Sequence, residues 1–262
     1  MQKKTITKKQ KWTAVVMYHY FRLFYRSALF IGSVVSYILF RFYNGHSLPD
    51  QFRQRPALLL IMWFIFVLEM TARFFPSELE SPGSQKQFRQ NYIKTGQTDY
   101  RIQDNHGTVL VALIWIVFNG VFGALHMMGV LDDGILLLLC SAYSICDMVC
   151  ILFYCPFQSI FLRNKCCCTC RIYNWDYAMM FTPLFFVRSW YTWSLLGLSV
   201  ALLLRWEITF YRFPERFAAE TNGYLSCANC TEKLCRHKTQ LHALWKSIAE
   251  ATARKLEMLR KE

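Results

Sequence analysis

Seven of the 11 cysteines in this 262-residue sequence fall in two short polar stretches. The first is the turn Cys166-Cys167-Cys168-Thr169-Cys170, held between Lys165 and Arg171. The second is Cys227-Ala228-Asn229-Cys230, followed by Cys235 and His237. Two residues between cysteines let a tight turn aim both sulfurs at one ion, and the pairs Cys167/Cys170 and Cys227/Cys230 have that spacing. Together they make a four-thiolate set, the pattern of structural zinc. All-thiolate ligation also suits an iron–sulfur cluster, which would imply electron transfer with a membrane partner. The spacing from Cys227 through Cys230 to Cys235 reverses the plant-type ferredoxin order, so it points to metal without choosing between zinc and iron–sulfur. Two other chemistries could use the same residues. Thiolates favoured by Lys165 and Arg171 would suit a redox relay. The run Cys166–Cys168 at the foot of an apolar segment is also an S-acylation pattern, which would make the chain a lipidated membrane scaffold.

A second group lies inside apolar runs, where ionisable residues are costly and usually face a bundle interior or a cavity. It comprises Glu69, His126, Cys146, Asp147, Cys150 and Arg188. Cys146 and Cys150 are four apart and share one helix face, with Asp147 one residue off it. Turned toward Glu69 and His126, these residues would form a metal or proton path, as in a small transporter or metal-handling permease. The plainer reading pairs Arg188 with Asp147 or Glu69, makes His126 a cap near the outer surface, and treats the cysteines as small apolar residues. The sequence has no Ser/His/Asp set, glycine-rich phosphate loop or His-x-x-x-His motif, so nothing in it points to a hydrolase or a nucleotide enzyme.

The elements that must position these residues follow from composition. The chain is 54% hydrophobic and 18% charged, against roughly 25% charged in soluble proteins. Its apolar residues come in long runs, so the fold class is all-α, a polytopic helical protein of the lipid bilayer. The net charge is +13. In a chain this apolar, cytoplasmic loops account for such an excess, and no nucleic-acid partner is expected. Residues 1–26 form a basic, aromatic cytoplasmic segment, suited to the headgroup level or to the foot of the first span. The basic stretch is long and no small-x-small cleavage pattern follows, so the first apolar run reads as a retained helix and not a signal peptide. The transmembrane domain covers 27–211, with cytoplasmic loops 76–107 and 156–173. Spans are expected over 27–43, 57–75, 108–130 and 134–155, with a short surface helix near 85–94. The turn Leu131-Asp132-Asp133-Gly134 makes the third and fourth spans a hairpin.

Residues 177–206 decide the topology. Interfacial aromatics belong at membrane surfaces, yet Trp190, Tyr191 and Trp193 fall mid-run, so this stretch reads as two short spans, 174–188 and 191–211. The total is then about six spans; a single crossing would give five. The acidic Asp132-Asp133 turn belongs outside and the amino terminus in the cytoplasm. Six spans put the carboxyl terminus in the cytoplasm too, and only then do the two cysteine groups share a side. The tail, 212–262, is cysteine-rich and ends in an amphipathic helix over 238–261. That helix would pack on the cytoplasmic face, lie on lipid, or bind a membrane or cytoplasmic protein partner.

Overall fold

In the computed structural model, residues 14–39, 41, 56–76, 82–100, 105–162, 169–226 and 229 are described. Their regular structure is helical. The extended pairing among them is a single bridge between Lys94 and Asn222. Four helices are long and apolar enough to cross a membrane: α1 (Ala14–Leu39), α4 (Asn105–Met127), α5 (Asp133–Leu152) and α7 (Trp190–Arg212). A shorter apolar helix, α2 (Pro56–Ala72), packs against α7. Two short helices complete the set, α3 (Pro82–Gln87) and α6 (Asp176–Phe181).

These helices present apolar side chains outward as well as inward. Phe21, Phe24, Ile31, Ile116, Val117 and Leu204 are all exposed. A large apolar exterior over buried polar residues is the arrangement that hydrocarbon surroundings favour, because lipid accepts apolar surface and offers polar groups no partner. It is the arrangement of an integral membrane protein.

Helix ends follow local chemistry. Asp132 caps α5, its carboxylate accepting from the Ile135 N–H at 2.9 Å. α4 stops at Gly129, whose φ of +75° suits a residue without a Cβ. There the Val130 N–H bonds back to the Leu125 carbonyl and the Gly129 N–H to His126, which satisfies carbonyls the helix leaves open. The α4–α5 turn is therefore the tight hairpin expected from Leu131-Asp132-Asp133-Gly134.

The chain also reverses at Val187-Arg188-Ser189. α6 continues as a 3-10 turn over Thr182–Phe186, then α7 returns antiparallel to it. Pro183 lacks an N–H, and the chain tightens around it instead of extending one regular helix. The expected segment 174–188 is thus a short helix followed by a 3-10 turn.

Two further expectations shift. The span expected over 27–43 is the later part of a longer helix, since α1 already runs from Ala14 and includes the aromatic stretch before Ser27. The surface helix expected near 85–94 is α3 followed by a 3-10 turn at Arg89–Asn91. The amphipathic helix expected over 238–261 lies outside the described residues.

The elements alternate in direction and define two ends. At the top, Tyr37 donates to Asp132 at 3.0 Å and the Trp63 and Trp190 rings meet at 5.7 Å. At the base, Val16 packs on Ile151 and Leu152, and Phe88 on Trp206. The main core runs between them through Met70, Tyr177, Phe181, Leu184, Leu195 and Leu202.

Two glycines of α4 separate packing from helix propensity. A Cβ on Gly107 would lie 2.8 Å from the Phe161 backbone carbonyl, whereas one on Gly120 would meet nothing within 4 Å. Gly107→Ala is expected to destabilise the protein by about 1–3 kcal/mol through overpacking. Gly120→Ala is expected to stabilise it by up to about 1 kcal/mol. Thermal unfolding in detergent, followed by size-exclusion chromatography, reads both signs.

Candidate functional site

The buried polar centre is built around Glu69, near the end of α2. Arg22 and Arg26 are four apart on α1 and so lie on one face of it. Both are fully buried and both reach Glu69. Arg22 donates Nε to Oε1 at 3.1 Å and Nη2 to Oε2 at 2.8 Å, a two-point contact. Arg26 donates Nη2 to Oε2 at 2.7 Å. Tyr177 of α6 accepts from Arg22 at 2.7 Å and donates to Glu69 at 2.8 Å, and the Tyr25 hydroxyl also donates to Glu69. The other amino group of Arg26 reaches Asp147 at 3.2 Å and the Ser144 carbonyl at 3.0 Å, both on α5.

A neighbouring pair extends this centre. Arg73 grips Asp176 through both carboxylate oxygens, at 2.8 and 2.6 Å, and stands 4.7 Å over the Tyr177 ring. Arg22, Arg26 and Arg73 thus meet Glu69, Asp147 and Asp176, and the charges balance. His19, one turn before Arg22, is buried with neither ring nitrogen bonded among the described residues. A buried ring of this kind is commonly satisfied by water.

Of the candidate intramembrane residues, the structure brings Glu69 and Asp147 together through Arg26. Cys146 and Cys150 lie beside Asp147 along a cavity of about 510 Å³. His126 and Arg188 are elsewhere, toward the top. The His126 Nδ1 stands 2.9 Å from the Leu131 carbonyl and its Nε2 3.4 Å from Asp133, so it closes the α4–α5 turn. Arg188 is exposed in the α6–α7 reversal. The expected pairing of Arg188 with Asp147 or Glu69 does not occur. Those carboxylates are taken by α1 arginines, because α1, α2 and α5 converge at the base while Arg188 sits at the opposite end.

Of the cysteine-cluster residues, Cys170 is described. It is buried beside Val111 and Ile172. Cys166, Cys167, Cys168, Cys227, Cys230 and Cys235 lie outside the described residues. Among the described residues, no three His, Cys, Asp or Glu side chains come together as a metal ion requires.

The segments leading to both groups meet at the base. Arg171, next to Cys170, donates to Glu207 at 3.3 and 2.5 Å and to Tyr211 at 3.0 Å, near the end of α7. Trp175 donates to the same carboxylate at 2.7 Å. Burial works against the Arg171 charge, and its bonds to Glu207 and Tyr211 outweigh that, holding its pKa above the ordinary arginine value. Beyond α7 the chain folds back under the bundle. The Asn222 amide donates to the Lys86 carbonyl at 2.9 Å, and the Gly223 N–H to the Ile93 carbonyl at 2.7 Å. Asn174 joins the same layer by donating to Gln87 at 2.9 Å. This layer carries the chain to Ser226, the residue before Cys227.

Sequence reasoning missed Arg22, Arg26, Arg73, Asp176, Arg171 and Glu207 as interior partners. The usable signal was the four-residue spacing of Arg22 and Arg26 beside an apolar run that carries a glutamate.

Comparison with protein-family models, with curated proteins and with solved structures finds no match to this chain. The functional reading therefore rests on its own residues.

Removing one partner from a buried ion network leaves the others uncompensated and costs about 3–5 kcal/mol. Glu69→Gln is accordingly expected to lower the detergent melting temperature sharply, with Arg188→Gln as a near-neutral control. A melting temperature of Glu69→Gln equal to that of the control would remove Glu69 from its central place.

Proposed function

We propose that this chain is a six-span integral membrane protein that carries a thiolate metal centre at its cytoplasmic face, built from Cys166–Cys170 and Cys227–Cys235. One observation carries the reading: Cys170 and Ser226 sit at the same end of the bundle, tied there through Arg171, Glu207 and the layer around Asn222. A centre shared by both cysteine groups requires that proximity, and the reversal at Val187–Ser189 is what supplies it. The basic residues Lys3, Lys4, Lys8, Lys9 and Lys11 precede α1 in sequence and favour the cytoplasm. The metal is zinc, clamping the tail to the spans, or an iron–sulfur cluster exchanging electrons with a membrane partner.

The transporter reading has less support. Glu69 and Asp147 are held by arginines, not left free to bind a cargo ion, and His126 and Arg188 lie away from them.

Elemental analysis with a visible spectrum tests the proposal on the purified protein. Stoichiometric zinc without colour, or iron with visible absorbance, is the expected result, and Cys230→Ser should lose the metal. Metal-free protein with titratable thiols would overturn the centre, and acyl mass on Cys166–Cys168 released by hydroxylamine would assign that turn to lipidation. A carboxyl-terminal topology reporter should read cytoplasmic; an external reading would separate the two groups and end the proposal.

A further inference from the structure

Four cysteines stand apart from the two clusters: Cys140, Cys146, Cys150 and Cys155. Cys140 is packed in the main core. The others line the cavity of about 510 Å³. Cys150 is in the last turn of α5. Directly after it the helix ends, with the Phe153 and Tyr154 N–H groups both bonding back to the Val149 carbonyl at 2.8 and 3.1 Å. That turn brings Cys155 back to the same cavity wall as Cys150, and the two thiols are neighbours there. Both are half-buried at the cavity wall.

The rest of the wall is mostly apolar and rich in rings, with Asp147, Gln158 and Asp176 as its polar members. Trp115 stands 4.7 Å from Tyr143 and 6.2 Å from Phe157, and Tyr154 and Tyr173 add two more aromatic faces. Aromatic walls of this kind favour flat, conjugated ligands, by stacked or edge-to-face contact. A thiol pair in contact is the reduced half of a two-electron couple. Val149 and Tyr154 of its wall are also exposed on the apolar exterior, so its ligand would arrive from the lipid.

We infer that Cys150 and Cys155 form a redox-active dithiol whose electron acceptor is a lipid-soluble quinone seated in this cavity. In the net step, two S–H bonds break and one S–S bond forms between Cys150 and Cys155. The two electrons and two protons pass to the quinone, whose two carbonyls become the hydroxyls of a hydroquinone. The disulfide closes only a short loop, so it gains little from chain entropy and stays reducible. The inference uses none of the cluster cysteines and stands independently of the metal centre.

The test uses the full chain in detergent, reduced and then treated anaerobically with decylubiquinone. Hydroquinone formation is followed by absorbance, free thiols are alkylated, and peptides are mapped by mass. A Cys150–Cys155 bond should appear, with one hydroquinone formed per bond. Cys150→Ser and Cys155→Ser should each abolish that quinone consumption, while Cys140→Ser should leave it unchanged. Met179→Trp, which fills the cavity, should slow the quinone reaction about tenfold while hydrogen peroxide still forms the bond. A bond formed by peroxide but never by the quinone, or a quinone rate untouched by Met179→Trp, would overturn the quinone seat. Absence of the bond under both oxidants, in protein that elutes as a single folded species, would overturn the couple itself.

Discussion

Everything at the base of this bundle depends on keeping three arginines buried in an apolar protein. A guanidinium taken out of water loses several kcal/mol of hydration, and lipid offers nothing in return. The protein meets this cost by bringing Glu69, Asp147 and Asp176 to Arg22, Arg26 and Arg73 at hydrogen-bond distance. The arrangement is demanding because the partners come from different helices. α1 supplies two cations, α2 one anion, α5 another, and α6 the third together with the Tyr177 hydroxyl. A slip of α1 by one residue would turn both arginines away from Glu69. Apolar contacts alone would tolerate such a slip far better, since one leucine or phenylalanine can replace another against a smooth helix. The ion network therefore sets the register that the apolar surfaces leave loose.

That same requirement makes Glu69 and Asp147 poor groups for transient work. Glu69 accepts from Arg22, Arg26, Tyr25 and Tyr177, and its charge is matched before any ligand arrives. A carboxylate in this state holds helices together. The described thiols have no fixed charge to satisfy, and Cys146, Cys150, Cys155 and Cys170 line the cavity beside this network. Arginine and carboxylate settle the structure because separating them in an apolar interior is expensive, whereas burying a thiol is cheap.

The base is a second organised layer. Arg171, Glu207 and Trp175 tie the exit of the first cysteine turn to the end of α7, and Asn222 ties the returning tail to the loop after α3. Few of these bonds join residues close in sequence. They gather the ends of several helices into one polar layer, and Arg171 and Ser226, which border the two cysteine stretches in sequence, belong to this end.

Much of the fold was legible in the residues themselves. Long apolar runs determined the helices, because each must satisfy its own backbone in hydrocarbon. Asp132 and Gly129 determined the α4–α5 hairpin through local capping, and the mid-run aromatics marked the α6–α7 reversal. His126 was legible as a cap for the same reason: its partner lies five residues away. What the residues alone did not determine was which charges meet. Arg22 and Arg26 looked like part of a basic cytoplasmic segment, and Arg188 looked like the natural partner for Asp147 and Glu69. Periodicity tells which residues share a helix face, but not how far one helix slides along another. Only the tertiary packing decided that α1 brings its arginines down to Glu69 while Arg188 stays at the far end. Ion pairing acts over a few ångströms between distant parts of the chain, and a sequence holds no measure of that distance.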